Sequence, residues 1–347
     1  MREALLYEKL PDSRVRCHTC QWLCKIAPNK FGVCGMYQDR EGVLYNLNYA
    51  SVSSMAADPI EKKPLFHFFP GSTVFSLGTL GCNFHCRHCQ NWEIAMADNR
   101  SGHSFRACED LPPGAEIALA KRSSCQGVAW TYNEPAIWFE YTLDSARLAK
   151  ERGLYTVYVT NGYSSVDALD MIGPYLDAWR VDMKGFSDRF YSELAKVPHW
   201  REILKTAERA KTKWKMHVEV VTNVIPGMND DDGQLRGIAD WIKSDLGELT
   251  PWHITRFYPQ HHLTEAPPTP VATLERACEI GQQAGLKFVY TGNVPGHPSE
   301  NTHCYACGKL VVERVGYRTQ VVGLNGSKCR FCGAELNFRN SAVGGNK

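Results

Sequence analysis

The sequence has no long apolar run: nothing approaches the roughly 18 residues that a membrane-spanning helix needs. Its opening stretch, MREALLYEKL, is charged throughout and lacks the apolar core of a secretion signal. Charge of one sign is not in excess either. Lys and Arg total 39 against 37 Asp and Glu, a net charge of +2, which gives no support to a nucleic-acid or membrane-surface partner. No internal repeat and no low-complexity tract is present. With 44% hydrophobic and 22% charged residues, a disordered chain, a collagen-like repeat and a coiled coil are excluded. The expectation is a cytoplasmic globular protein of 347 residues, either about two domains or one large α/β barrel with appendages.

What the sequence does have is cysteine, 14 of them. Disulfides belong to small exported chains, which this one does not resemble. Cys17, Cys20, Cys24 and Cys34 form one group, Cys82, Cys86 and Cys89 a second, and Cys304, Cys307, Cys329 and Cys332 a third. Eleven thiols thus sit in tight groups, as metal ligands do. Cys108, Cys125 and Cys278 stand alone and read as small buried hydrophobes.

Residues 1–70 are turn-rich and end at a Pro70-Gly71 pair, which reads as a boundary. From 71 to 300 strand patterns (73–79, 127–131, 155–160, 178–183, 216–222, 252–257 and 287–290) alternate with helical ones (135–152, 188–210, 230–246 and 271–284). Such alternation predicts a parallel sheet, open or curled into a barrel. Residues 301–338 form a compact cysteine unit, and 339–347 a frayed tail. Polar motifs fall at the carboxyl ends of the predicted strands: Gly81-Cys82, Tyr132-Asn133-Glu134, Thr160-Asn161-Gly162, Asp182-Met183-Lys184, Thr222-Asn223, Arg256 with Tyr258, and Thr291-Gly292-Asn293. In a parallel α/β barrel that rim is where active sites are built. The aromatic run Phe66, His67, Phe68 and Phe69 reads as core.

Cys82, Cys86 and Cys89 follow the first strand with C-x3-C-x2-C spacing. Zinc knuckles favour C-x2-C pairs, and cubane iron–sulfur clusters normally take four thiolates. Three thiolates would leave one iron open to a small molecule. The alternative is a Cys3His zinc site with His85 or His88 as fourth ligand.

These residues, with "GCNFHCRHCQNWEIA", "AWTYNEPAIWFEY", "YVTNGY", "VDMKGF", "NVIPGMND", "HITRFYPQ" and "YTGNVPGHPSENTHCYACG", resemble the radical S-adenosylmethionine (SAM) superfamily. Within it the chain is similar to the AmmeMemoRadiSam-system enzymes, relatives of pyruvate formate-lyase activating enzyme. The resemblance implies an α/β fold, a partial or near-complete parallel (β/α) barrel. It implies a 4Fe–4S cluster on Cys82, Cys86 and Cys89, whose open iron chelates SAM, and reductive cleavage to a 5′-deoxyadenosyl radical that takes hydrogen from an unidentified substrate. Glu134 lies where the superfamily has a Gly-Gly-Glu element near the SAM amino group, although both glycines are replaced here; a helix cap is its other reading. Asn161 resembles the residue that holds a ribose hydroxyl. Asp182 and Lys184 resemble the D-x-K element of glycyl-radical activating enzymes, with the lysine toward SAM's carboxylate; an ordinary buried ion pair is the alternative. Asn223 resembles the element near adenine, and His253 a PxH element. The implied partners are an electron donor such as flavodoxin or ferredoxin and the Memo-like and AMMECR-like proteins of the system's name.

Cys304-x2-Cys307 and Cys329-x2-Cys332, each followed by glycine, form a zinc-ribbon pattern around a hairpin at Gly316, with a rubredoxin-like iron centre as the alternative. This unit leads out of the last barrel strand and is expected to cover the rim. Cys17-x2-Cys20-x3-Cys24-x9-Cys34 reads as a second zinc site, with an iron–sulfur cluster as the alternative and His18 as a substitute ligand. Three function classes follow: a radical SAM enzyme, with a glycyl-radical-enzyme activase as its nearest variant; a zinc-dependent barrel hydrolase; and a non-catalytic, metal-stapled interaction protein. Zinc hydrolases use mostly His and carboxylate ligands, and an interaction module has no need of a polar rim on seven strands.

Overall fold

The computed structural model describes residues 1–97 and 108–340. Its centre is an eight-stranded sheet: β1 (Ser54–Pro59), β2 (Thr73–Gly78), β3 (Gly127–Trp130), β4 (Tyr155–Thr160), β5 (Ala178–Asp182), β6 (His217–Val224), β7 (Trp252–Arg256) and β8 (Val289–Gly292). Strands β2 to β8 lie in sequence order and are all parallel. Each crossover that carries a helix therefore returns on the same face, the arrangement of a (β/α) barrel. Hydrogen bonds do not join β8 to β1, so the barrel is partial. The seven predicted strands are all present within two residues at each end. The eighth was not expected. β1 pairs antiparallel with β2 along its length, from Ser54 opposite Gly78 to Pro59 opposite Thr73, so the sheet begins inside the segment read as N-terminal. Its sequence, SMAADP, has neither the alternation nor the β-branched residues that announce a strand.

The covering helices are α1 (Ala115–Arg122), α2 (Phe139–Glu151), α3 (Val166–Ile172), α4 (Glu202–Thr212), α5 (Asp232–Trp241) and α6 (Val271–Ala284). The helix expected over 188–210 is broken. A short turn ends at Ala195, Lys196 and His199 take left-handed backbone (φ 59° and 53°), and α4 starts only at Glu202. Pro198 explains the break, since it disfavours helical backbone before it and offers no N–H. Among the described residues no helix is long and apolar enough to cross a membrane.

The sheet is buried on both faces, as parallel sheets are. Trp130, Tyr158, Trp179 and Ile254 pack toward the helices. On the inner face Val74, Ala129, Val157 and Ala178 meet Ile60, Leu65 and Phe68 of the β1–β2 connection, which fills the lower barrel. Glu219 anchors this plug. Its carboxylate accepts the Phe66 and His67 backbone N–H groups (3.0 and 2.8 Å) and faces the rings of His217 (2.9 Å) and His253 (2.6 Å). Burial pushes its pKa up, but the hydrogen bonds from the two rings outweigh this and hold it well below the usual carboxylate range.

The C-terminal cysteine unit pairs Thr302–His303, Leu310–Val315 and Arg318–Val321 in one small antiparallel sheet. It packs on Phe66, Phe288 and Tyr290, and Phe338 stacks on His67 (4.0 Å). Asn337 donates to the Leu249 carbonyl, and Arg339 to those of Asp177 and Lys215. These carbonyls lie just before β7, β5 and β6. The unit therefore closes the amino ends of the strands, not the rim it was expected to cover. Arg339, expected in the frayed tail, is fastened here; residues 341–347 of that tail lie outside the described residues.

Candidate active site

The opposite, carboxyl end of the sheet carries the central cysteines. After β2 the chain turns at Gly81, whose φ is +84° and whose missing side chain leaves room for Met36: a Cβ there would stand 2.6 Å from Met36 Cγ. Cys82 and Cys86 are buried and Cys89 is half-buried. Each thiol is near enough to the other two to feel their charge. Burial pushes all three pKa values up, Cys86 to about 12, while the Lys184 ammonium pulls Cys86 and Cys89 back down. Deprotonation at this site is therefore favoured by a nearby cation, and Lys184 supplies one.

The three thiols do not close around a single ion. Among the described residues only Cys304, Cys307, Cys329 and Cys332 form a set of three or more Cys, His, Asp or Glu ligand atoms mutually within 4.8 Å. Neither His85 nor His88 completes such a set with the central cysteines. His85 is exposed, and His88 packs its ring against Phe190, with burial lowering its pKa to about 3.

Residues from two segments, after β3 and after β4, hold this loop. Asn161, just past β4, donates from Nδ2 to Asn83 Oδ1 (2.7 Å) and faces Cys82 Sγ at 3.9 Å. Asn133, past β3, accepts from the Thr79 backbone N–H (3.2 Å) and donates to the Gly81 carbonyl (2.7 Å). Glu134 beside it is fully buried. It accepts from the Ala136 N–H (3.0 Å), the Thr160 hydroxyl (2.7 Å) and the Asn161 N–H (2.7 Å). It is thus a helix cap, as one reading of the sequence had it. Burial drives its pKa up to about 7 against these three donors. Tyr132 takes left-handed backbone (φ 73°), a conformation that glycine favours; its hydroxyl bonds Asp58 (3.1 Å) inside the barrel.

Asp182 ends β5, and its carboxylate is shared by Arg180 and Lys184, the latter at 2.8 Å. Burial would raise its pKa, but the two cations hold it at about 2. Lys184 in turn is held above the ordinary lysine range by Asp182, despite its burial. Asn223, near the end of β6, donates to Thr255 Oγ1 (3.1 Å).

Two features differ from the sequence reading. His253 is the second residue of β7, buried, bonded to Glu219 and packed against Phe66 at 4.7 Å; it joins the plug below the rim, not the cysteines. Asn229 was overlooked. Fully buried, it donates to the carbonyls of Lys184 (2.6 Å) and Asn223 (2.9 Å) and accepts from the Ile225 N–H (2.6 Å), tying two candidate residues into one frame. Asn83, Asn133 and Asn229 lie in the quoted motifs, Asn133 also in a rim motif, but the sequence assigns none of the three a role of its own, because asparagine in a loop has many uses.

In the C-terminal set the paired sulfurs are 3.6 Å (Cys304–Cys332) and 3.8 Å (Cys307–Cys329) apart. A tetrahedron of thiolates around an ion at about 2.3 Å requires about 3.8 Å. Gly308 and Gly333 take positive φ (72° and 78°), as the knuckle turns require.

A family model described as the radical SAM superfamily matches residues 77–237. An uncharacterized protein of Methanocaldococcus jannaschii is 40% identical over 340 residues, 97% of this chain and 99% of its own. The isethionate sulfite-lyase activating enzyme of Nitratidesulfovibrio vulgaris is 29% identical over 43% of this chain and 49% of its own length. The pyruvate formate-lyase-activating enzyme of Clostridium pasteurianum is 26% identical over 50% of this chain and 72% of its own. Among solved structures, a radical SAM methyltransferase from Sphaerobacter thermophilus shares the fold (TM-score 0.50, 17% identity, 70% of this chain and 71% of that one). A cysteine triad at the carboxyl end of the first parallel strand, on a loop braced by Asn133 and Asn161 and with the Lys184 charge felt at two of its thiols, lies in the matched segment: the chain is an enzyme of the radical SAM superfamily.

Proposed function

We propose that Cys82, Cys86 and Cys89 bind a 4Fe–4S cluster, that SAM binds against it, and that the enzyme abstracts hydrogen from an organic substrate not yet identified. The observation that carries this reading is the triad itself: three thiols on one short loop, two of them buried, not drawn mutually within 4.8 Å, with the Lys184 charge felt at two of them. That donor set fits a cubane with one iron left for a small molecule. When bound, the reduced cluster and SAM supply a 5′-deoxyadenosyl radical.

The chain's own side chains position and shield. Lys184, kept charged by Asp182, takes the SAM carboxylate. Glu134 offers its carboxylate to the SAM ammonium, Asn161 serves the ribose, and Asn223, framed by Asn229, borders the adenine. The reading leaves His253 out, because its ring is committed to Glu219. Below the rim, Phe66, Phe68 and the Glu219 network exclude water from the lower barrel. The C-terminal cysteines hold one zinc in a ribbon, supported by sulfur separations that match a tetrahedron. The source of electrons is a flavodoxin or ferredoxin in the cytoplasm. The near-full-length motif resemblance supports a place in the AmmeMemoRadiSam system, with Memo-like and AMMECR-like partners.

The test is anaerobic reconstitution, reduction and quantification of 5′-deoxyadenosine. Wild type is expected to form it and Cys86→Ala to form none; equal yields would remove the triad from the chemistry. A second reading, a glycyl-radical-enzyme activase, is favoured by the two activating enzymes among the relatives. It requires a glycyl radical signal on a partner lyase after incubation with the reduced enzyme and SAM.

A further inference from the structure

The N-terminal cysteines hold more than the central reading uses. Val15–Cys17 pairs with Lys25–Ile26, and the Cys17 N–H donates to the Cys24 carbonyl at 3.0 Å, so the two ends of this loop are held side by side. Cys17, Cys24 and Cys34 share one small apolar cluster with Val15, Ile26 and Tyr37. The Leu23 N–H donates to the Cys20 carbonyl (3.1 Å), turning the chain back toward Cys24, and a Cβ at Gly32, in the turn that leads into Cys34, would stand 3.7 Å from Cys24 Sγ. The four cysteines are thus gathered in one small region of the segment.

They do not converge as closely as the C-terminal four. There the paired sulfurs stand 3.6 and 3.8 Å apart, close to the separation that four thiolates around one zinc require. Among the described residues no three of the N-terminal thiols, with or without His18, are mutually within 4.8 Å. The same chain thus holds two kinds of set: one with its four ligand atoms mutually within 4.8 Å, the other gathered in one region but less tightly drawn. A polynuclear centre asks for the wider one, because each thiolate binds a different iron.

We propose that Cys17, Cys20, Cys24 and Cys34 hold a second 4Fe–4S cluster, ligated by four thiolates, in place of the zinc expected from the sequence. We further infer that it relays electrons to the central site; that role rests on the central reading, while the site itself does not. Four thiolate ligands leave no open iron, so this cluster suits electron transfer rather than SAM binding.

Its location fits the relay. The N-terminal segment docks on the rim beside the central loop. The Trp22 indole N–H donates to the Asn83 carbonyl (2.7 Å), next to Cys82, and the Gln21 N–H donates to the Tyr163 carbonyl (3.1 Å). A Cβ at Gly81 would stand 3.0 Å from the Cys34 carbonyl, so the two cysteine loops touch through their backbones. On the other side Leu23 is exposed and Cys24 half-buried, which opens this site to a protein carrier. In the step, a reduced flavodoxin- or ferredoxin-type carrier loses one electron, the N-terminal cluster gains it and then passes it inward; no bond is made or broken.

The test uses the full chain, reconstituted anaerobically with iron and sulfide and assayed for iron, sulfide and zinc. Wild type is expected to hold about eight irons per chain, as two four-iron clusters require, and one zinc. The Cys82→Ala/Cys86→Ala/Cys89→Ala variant should keep about four irons and, after dithionite, an EPR signal that SAM does not change. Cys17→Ser/Cys20→Ser should lose those irons, and with them reduction by the protein carrier, but keep reduction of the central cluster by dithionite. Two zincs and about four irons in wild type would overturn the second cluster without any variant having to fold. Carrier-driven reduction undiminished in Cys17→Ser/Cys20→Ser would overturn the relay. Irons that survive the triple variant but vanish with Cys17 and Cys20 uphold the N-terminal site even if the central site binds none.

Discussion

Replacing Lys184 with methionine removes a charge while keeping most of the aliphatic stem. Lys184 Nζ lies 2.8 Å from Asp182, and Arg180 bonds the same carboxylate. Asp182 therefore keeps a cationic partner in the variant, and the fold is spared the cost of an unpaired buried charge. What is lost is the hydrogen bond proposed to reach the SAM carboxylate. A hydrogen bond to a charged group contributes about 1.5–3 kcal/mol, so SAM affinity should fall roughly ten- to a hundred-fold. The assay is the anaerobic dissociation constant of SAM on cluster-loaded protein, with iron measured in the same sample. Iron content should stay near wild type, since three thiolates remain. Lys184→Arg keeps the charge and should recover part of the affinity. Unchanged affinity in Lys184→Met at equal iron content would refute the assignment and leave Lys184 as one half of a structural ion pair.

Glu134, with its pKa pushed up to about 7 by burial, attracts the SAM ammonium only once ionised. SAM affinity should therefore rise about ten-fold between pH 6 and pH 8 and level off above, and Glu134→Gln should flatten that profile. Asn133→Ala strips the partners from the Thr79 N–H and the Gly81 carbonyl beside the cysteine loop. A cost of about 1–3 kcal/mol is expected, read as a lower thermal midpoint and faster loss of iron. Cys329→Ser/Cys332→Ser should lose one zinc per chain and destabilise the protein. Because that unit packs at the amino ends of the strands, SAM cleavage per loaded cluster should persist; its disappearance in folded protein would tie these thiols to the chemistry.

The barrel was legible because seven strands carry β-branched or aromatic runs bounded by turn residues, and the rim because its polar motifs follow those runs. Edge strand β1 escaped because Ala-Ala-Asp-Pro has no strand character of its own; pairing with β2 imposes it. Cysteine spacing located three thiol groups but not how closely each is drawn together: the sulfurs of the C-terminal four lie mutually within 4.8 Å, and those of the other two groups do not. The C-terminal unit was assigned to the wrong end because a chain leaving the rim at Gly292 can turn either way. Phe338 stacking on His67 and Arg339 bonding two carbonyls take it to the amino ends, and those contacts are long-range. His253 was drawn to the rim by its motif, although its partner, Glu219, lies on the neighbouring strand.

The most direct test of the central claim is the low-temperature EPR spectrum of the reduced protein, recorded with and without SAM, in wild type and in the Cys82→Ala/Cys86→Ala/Cys89→Ala variant. A cluster on three thiolates has an iron that SAM can reach. The account predicts a wild-type signal that SAM shifts and that the triple variant lacks. A SAM-responsive signal that survives the loss of all three cysteines would contradict it.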